Sequence, residues 1–340
     1  MYTIIISLFF AANIGASGTA ASMGAAYGSG AVKSKYLAVS LAAIFAFLGA
    51  NIGSFEVVKT ISEGIVPESI INLPLTAIIL TSACLTLFIA NVVGIPLSTS
   101  EVTVGSIVGV GIVYGVIHWY MLFIIIMTWM IIPVLALVLS YTLNHYTTAH
   151  EKKWLIKHPT TMKKFLIVLV IFSGCYEAFS AGMNNVANAI GPLMNLDMMN
   201  VTTAVFWGSI FMALGALTMG FRVLETTGKK ITSLSLLQGS IVSITSGTLI
   251  LTASIFGIPV PLTQTTTLGI IGIQSKKIGL EIRHQPVIRK IIKVWILSPL
   301  YSLLLSYCLI QIFVLKQNTE WILCMVILWM IWYYKKINRP

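Results

Sequence analysis

Residues 182–188 read GMNNVAN, and residues 11–17 read AANIGAS. Both are short, small-residue, Asn-bearing segments set inside apolar runs. Two further matches follow each of them. Leu48-Gly49-Ala50 with Val57-Val58-Lys59-Thr60 is answered by Leu214-Gly215-Ala216 with Val223-Leu224-Glu225-Thr226, and Gly94-Ile95-Pro96 by Gly257-Ile258-Pro259. Three matches in one order at similar spacing make the chain two related copies. Loop charge differs between them. After the first motif, copy one has Lys33 and Lys35, whereas copy two has only Asp197 within 192–200. After the second motif, copy one has Glu63 and Glu68 where copy two has Lys229 and Lys230. Positive loops stay on the cytoplasmic side, so equivalent loops are expected on opposite membrane faces. The result is an inverted repeat, with a binding site expected near the midplane where the copies meet.

Composition places this repeat in a membrane. Of 340 residues, 57% are hydrophobic and 9% charged, against about 25% charged in a soluble domain. Apolar runs long enough to cross a bilayer recur from end to end, leaving no room for a soluble domain. The first run, 2–15, follows a start without Lys or Arg and is read as a retained helix, not a cleaved leader. Cys84, Cys175, Cys308 and Cys324 sit in apolar runs without CxxC spacing and are read as buried small hydrophobes. The net charge of +11 comes from clusters between apolar runs, which excludes a nucleic-acid partner. Lys152, Lys153, Lys157, Lys163 and Lys164 face one acid, Glu151. Lys276, Lys277, Arg283, Arg289, Lys290 and Lys293 face Glu281, and Lys335, Lys336 and Arg339 end the chain. All three clusters are expected to be cytoplasmic.

The expected fold is therefore an all-α polytopic protein of the cell membrane with about eleven spans and broken, re-entrant helices. Its N-terminus lies outside and its C-terminus in the cytoplasm. The organisation is a first repeat over 1–144, a basic loop over 145–164, and a second, inverted repeat over 165–275. A second basic loop spans 276–292, and C-terminal spans occupy 293–340. An aromatic cluster over 321–334 reads as an interfacial belt.

Each copy interrupts its apolar runs at two equivalent places. One holds Asn13 and Ser17 in copy one, and Asn184, Asn185 and Asn188 in copy two. The other is Pro96-Leu97-Ser98-Thr99-Ser100-Glu101, answered by Pro259-Val260-Pro261-Leu262-Thr263-Gln264-Thr265-Thr266. Pro followed by hydroxyl residues reads as a loop entering a helix N-terminus. Free N–H groups and the positive dipole end there favour an anion. Two such half-helices from opposite sides would frame an oxyanion pocket. Scattered small residues such as Ser22 and Gly24 have packing as a competing reading. Ionisable groups inside a membrane cost at least about 2.5 kcal/mol and mark function. Glu56, Glu101, Glu177 and Glu225 are the candidates for coupling. Glu56 and Arg222 occupy matching positions, so either they pair or both reach water at span ends.

These residues resemble the inorganic phosphate transporter (PiT) family, and within it the bacterial sulfate permease branch. The family's GANDxAN hallmark is matched at 11–17 and 182–188, and its PVSTTH segment at 96–101 (PLSTSE). The resemblance runs from about Leu8 to Ile310. It implies inverted repeats with substrate held between two broken segments. The family's motif aspartates, linked to sodium and phosphate, are replaced by Ile14 and Asn185; its His gives way to Glu101 and Gln264.

Those replacements bear on substrate. Phosphate near neutral pH keeps a proton and benefits from an acceptor in its site, whereas sulfate presents acceptors only. A buried acceptor facing an acceptor is strongly penalised, so losing two aspartates favours sulfate. The expected ligand set is Asn13, Ser17, Ser98, Thr99, Ser100, Asn184, Asn185, Asn188, Thr263, Gln264, Thr265 and Thr266. Partners are sulfate, membrane lipid, and protons in place of sodium, with a homodimer left open. No metal, cofactor or enzymatic activity is expected. The alternatives are a phosphate transporter of the same fold, an anion channel, and an enzyme acting on phosphorylated lipids. The five histidines lie away from the polar motifs, which argues against the enzyme.

Overall fold

A computed structural model describes residues 1–93, 97–196, 198–230, 233–278 and 286–317. Gly94, Ile95, Pro96, Asp197, Glu281, Arg283, Cys324, the aromatic stretch 321–334 and the basic tail lie outside the described residues, so the expectations placed on them are not met by any structural observation.

The described chain is helical. Helix α1 (Tyr2–Ile14) runs into a π-helical turn at Gly15–Thr19, followed by the short pieces α2 (Ala20–Ser22) and α3 (Gly24–Gly28). Then come α4 (Lys35–Gly53), α5 (Phe55–Lys59), a π turn at Thr60–Gly64, α6 (Leu73–Val93) and α7 (Thr99–Tyr114). Two long helices, α8 (Trp119–Lys157) and α9 (Pro159–Met194), occupy the middle of the chain. The second half continues as α10 (Val201–Met219), α11 (Phe221–Glu225), a π turn at Thr226–Lys230, α12 (Leu236–Ile255), α13 (Leu262–Ile278) and α14 (Pro286–Phe313). Eight helical segments among the described residues are long and apolar enough to cross a membrane.

One run of elements recurs in the two halves. A 19-residue helix, a five-residue helix and a π turn follow one another at Lys35–Gly64 and again at Val201–Lys230. Both 19-residue helices start on a side-chain cap: Ser34 accepts from the Leu37 amide at 3.4 Å, and Asn200 from the Thr203 amide at 2.8 Å. Such caps supply partners for donors that a helix start leaves unmet.

The halves interlock through glycine. A Cβ on Gly15 would come within 1.8 Å of the Met212 carbonyl oxygen, and one on Gly215 within 1.8 Å of that of Ala12. These residues seat α1 directly on α10. The other crossing has the same construction: a Cβ on Gly49 would meet the Phe179 carbonyl at 1.9 Å, and one on Gly182 that of Ala46 at 2.0 Å. Helix α4 is thereby seated on α9. The first helix of each copy is thus crossed by the second helix of the other. Small residues at such crossings let backbones touch, which supplies packing where lipid offers no hydrophobic drive.

One expectation needs correcting. The basic stretch 145–164 is not a loop, because α8 continues to Lys157 and α9 begins at Pro159. The break is the single residue His158, with φ −139° and ψ 68°. Proline disfavours the helical region for the residue before it, yet fits the first helical position. Basic charge marked exposure there, and lysine is a good helix former.

Candidate functional site

The two Pro-and-hydroxyl segments do open helices, and their first turns meet. Ser98 is the N-cap of α7, and its hydroxyl accepts from the Glu101 amide at 3.3 Å. Ser17, in the π turn after α1, donates to the Leu97 carbonyl at 3.1 Å and so holds the entry of α7. Ser100 donates to the Val260 carbonyl at 3.2 Å. Val260 lies two residues before the first residue of α13, so one hydroxyl bridges the two helix starts. Every residue from Thr99 to Ile107 on α7 is buried. At 16 residues α7 is about 24 Å long, short of the roughly 30 Å hydrocarbon layer, so its start falls within the membrane.

Helix α9 supplies the asparagines. Asn185 and Asn188 stand one turn apart on one face, the spacing at which side chains become neighbours. Thr99 donates to Asn185 Oδ1 at 3.1 Å, while Asn188 Nδ2 donates to Thr99 Oγ1 and Ser100 Oγ, both at 3.2 Å. Asn184 points elsewhere and braces the entry of α13. Its Nδ2 donates to the Ile258 carbonyl and Ser254 Oγ, and its Oδ1 accepts from the Val260 amide, all at 3.0 Å. Gly18 completes the enclosure, because a Cβ there would lie 2.6 Å from Asn185 Nδ2.

Two carboxylates close the cluster. Gln264 donates through Nε2 to Glu101 Oε1, and Thr266 donates to Glu177 Oε1. Glu177 is fully buried, Glu101 is 5% exposed, and the second oxygen of each lacks a protein partner. Thr265 donates to the Pro261 carbonyl at 3.0 Å. Thr263 Oγ1, Thr19 Oγ1 and Asn185 Nδ2 are buried donors with no partner, and Asn188 Oδ1 is a buried acceptor with none. Buried polar groups are nearly always paired, so such orphans mark where a ligand or water belongs. Among the described residues no group of three or more metal-ligating side chains occurs.

Some expected members are not brought in. Asn13 turns toward α6: its Nδ2 donates to the Phe9 carbonyl at 3.0 Å and reaches Cys84 Sγ at 3.6 Å. Asn91 donates to the Asn13 carbonyl at 2.8 Å. Glu56 is exposed on α5 and has no bond to Arg222, which instead donates to the Val92 carbonyl. Glu225 pairs with Lys35, and both side chains are about a third exposed or more. The physical reason is length. Helices α4 and α10, at 19 residues, each span about 28 Å, so the residues after them already lie at the membrane edge.

Asn91 and Ser254 are the residues that sequence reading missed. Each bonds the motif asparagine of its own copy, Asn13 and Asn184, and each stands three residues before the Gly of its Gly-Ile-Pro segment. That repeated lone polar position was the available signal.

This arrangement of paired helix starts suits the binding of a small anion. The comparisons with known proteins point the same way. A model of the phosphate transporter family matches residues 14–306. The chain belongs to this family. It is similar to the sulfate permease CysP of Bacillus subtilis, at 49% identity over 95% of this chain and 90% of the relative. Among solved structures it is similar to a sodium-dependent phosphate transporter, with a TM-score of 0.80 and 25% identity, covering 91% of this chain and 97% of the other. Its apolar helices and its family make it a multi-pass membrane transporter.

Proposed function

We propose that this transporter is a permease that imports sulfate together with protons. The observation carrying this reading is the pair of open donors in the site. Asn185 Nδ2 and the Thr263 hydroxyl are unpartnered beside one open amide acceptor, Asn188 Oδ1, and one oxygen of each carboxylate is engaged, by Gln264 and by Thr266. Sulfate offers acceptors only, so it matches donors and is repelled by a bare carboxylate. The 49% identity to a sulfate permease supports the same substrate. Two helix N-termini supply the positive field that a dianion needs without a lysine or arginine in the cluster.

Energetics call for coupling. A dianion entering an inside-negative cell works against about 2.3 kcal/mol per charge per 100 mV, or about 4.6 kcal/mol in all. Two protons cancel that charge, and the site holds two buried carboxyls, Glu101 and Glu177. The halves would rock about the fixed site, exposing it to the outside and then to the cytoplasm. The N-terminus would lie outside and the C-terminus inside.

A second reading has one observation in its favour. Glu101 Oε2 and Glu177 Oε2 lack partners, and a protonated phosphate could donate to either. Uptake of labelled sulfate into proteoliposomes under an imposed pH gradient, with excess unlabelled phosphate, separates the two. Gradient-driven uptake indifferent to phosphate is expected. Uptake blocked by phosphate, or requiring sodium, overturns the proposal.

A further inference from the structure

Beyond the site, unpartnered buried hydroxyls collect on one side of Glu177. Ser243 and Ser246 on α12 and Ser140 on α8 are all fully buried, and none has a hydrogen-bond partner in the protein. Such groups in apolar surroundings cost about 1–3 kcal/mol each when left bare, so they mark places where water sits.

They form a sequence in space. Glu177 lies halfway along α9, and a Cβ on Gly247 would touch its Cα at 3.2 Å, which sets Glu177 level with the middle of α12. Ser243, one turn from Gly247, lies beside the Glu177 carboxyl without the alignment of a hydrogen bond. The next step is the close approach at Gly269 on α13. A Cβ there would stand 3.2 Å from Ser140 Oγ and 3.6 Å from Ser246 Oγ, so the absence of a side chain lets α8 and α12 bring two hydroxyls together against α13. One turn further along α8, Asn144 donates to the Ile273 carbonyl at 3.4 Å and accepts from Gln238 Nε2 at 3.3 Å. Gln238 accepts from the amide of Ser235, which is exposed where α12 begins. From Gly247 to Ser235 the helix rises about 18 Å, more than half the hydrocarbon thickness.

We propose that this file, from Ser235 through Gln238 and Asn144 to the hydroxyls of Ser140, Ser246 and Ser243, is a polar route by which protons, carried by entering water, reach and leave Glu177. The inference rests on the proton coupling proposed above and adds the path. A proton arriving along the file converts the Glu177 carboxylate to the neutral acid, and leaves by the reverse step. The file ends at the membrane face that bears the start of α12, so it connects the carboxyl to one side only. Thr266 and Ser243 are the side chains acting on the carboxyl, and α12 carries no titratable residue. On α8, Tyr141 and His145 stack on each other. Lys35 of α4 pairs with Glu225. Lys229 lies 4.3 Å over the Tyr27 ring of α3. Lys276 and Lys277 fall in the last turn of α13.

Two alterations interrupt the file in opposite ways. Gly269→Ala crowds the two hydroxyls, and its methyl meets the rotatable Ser140 hydroxyl and not backbone. The double change Ser140→Ala with Ser246→Ala removes volume and leaves an apolar gap, which stays dry. Reconstituted full-length protein would be assayed for sulfate uptake driven by a pH gradient and for sulfate–sulfate exchange at equal pH, which needs no net proton movement. Both variants should lose about tenfold or more of the driven uptake, the effect of about 1.4 kcal/mol on a rate, while keeping exchange within about twofold. Driven uptake unchanged in both variants overturns the path, as does parallel loss of uptake and exchange, which would signal a packing role. Wild-type uptake that ignores the pH gradient and follows sodium overturns the proton reading itself, and is told apart because it appears before any variant is made.

Discussion

The first turns of α7 and α13 hold matching places in the two halves, yet they use their hydroxyls differently. Around α7 they are spent within the protein: Ser98 caps its own helix, Thr99 reaches Asn185, Ser100 reaches Val260, and Thr103 donates back to the Thr99 carbonyl at 3.0 Å. Around α13 the entry is made by prolines, Thr263 and Thr267 have no partner, and Gln264 and Thr266 are committed to carboxylates. The contrast makes the α7 hydroxyls a fixed wall and α13 the face that offers donors and whose Gln264 and Thr266 grip the carboxylates of Glu101 on α7 and Glu177 on α9. A bond already made inside the protein contributes rigidity, whereas an orphaned donor is available to an anion.

The strongest challenge to this contrast is Asn185→Asp. The change keeps the acceptor that Thr99 uses but replaces the free Nδ2 donor with an oxygen aimed at the anion. Sulfate affinity should fall a hundredfold or more, on the order of 3 kcal/mol, with phosphate becoming an effective competitor. Retained sulfate affinity in a binding titration would remove Asn185 from the pocket. The carboxylates come next. Glu177→Gln and Glu101→Gln should each abolish dependence of uptake on the pH gradient while sulfate exchange persists; a gradient response equal to wild type clears the residue of coupling.

A direct contrast of the two walls is weaker but more specific. Thr263→Val should weaken sulfate binding about tenfold, the loss of one buried hydrogen bond to a charged group. Thr99→Val should instead lower stability by about 1–3 kcal/mol, by stripping partners from Asn185 and Asn188, and should be read in the melting temperature. The reverse assignment of affinity and stability would sink the division between wall and donor face. The smallest effect is expected at Glu56→Gln and Glu225→Gln, with driven uptake within about twofold of wild type, because exposed charges and surface pairs contribute little.

Much of this was legible in residue order. The Asn-bearing segments, the Pro-and-hydroxyl segments and their repetition marked where helices start and where the membrane interior turns polar, since these depend on neighbours in sequence. The turn at 158 was misread because lysines report exposure and not backbone shape. Asn13 was grouped with Asn184 by motif, and both indeed brace their own copies, through Asn91 and through Ser254. Neither orientation could be read from composition, because a helix displays its side chains all round and only packing selects which face meets which neighbour.

Residue order alone was enough to mark a membrane protein and to point to two copies with oxyanion chemistry expected at two helix starts, because burial in lipid demands apolar runs and punishes every polar exception. Tertiary structure decided which exceptions meet. Glu177 finds Thr266 across 89 residues and Glu101 finds Gln264 across 163, while Glu56 and Glu225 are left at the edge. Such pairings set the start of α13 against α7 and α9, and a contact belongs to two helices at once and not to either sequence.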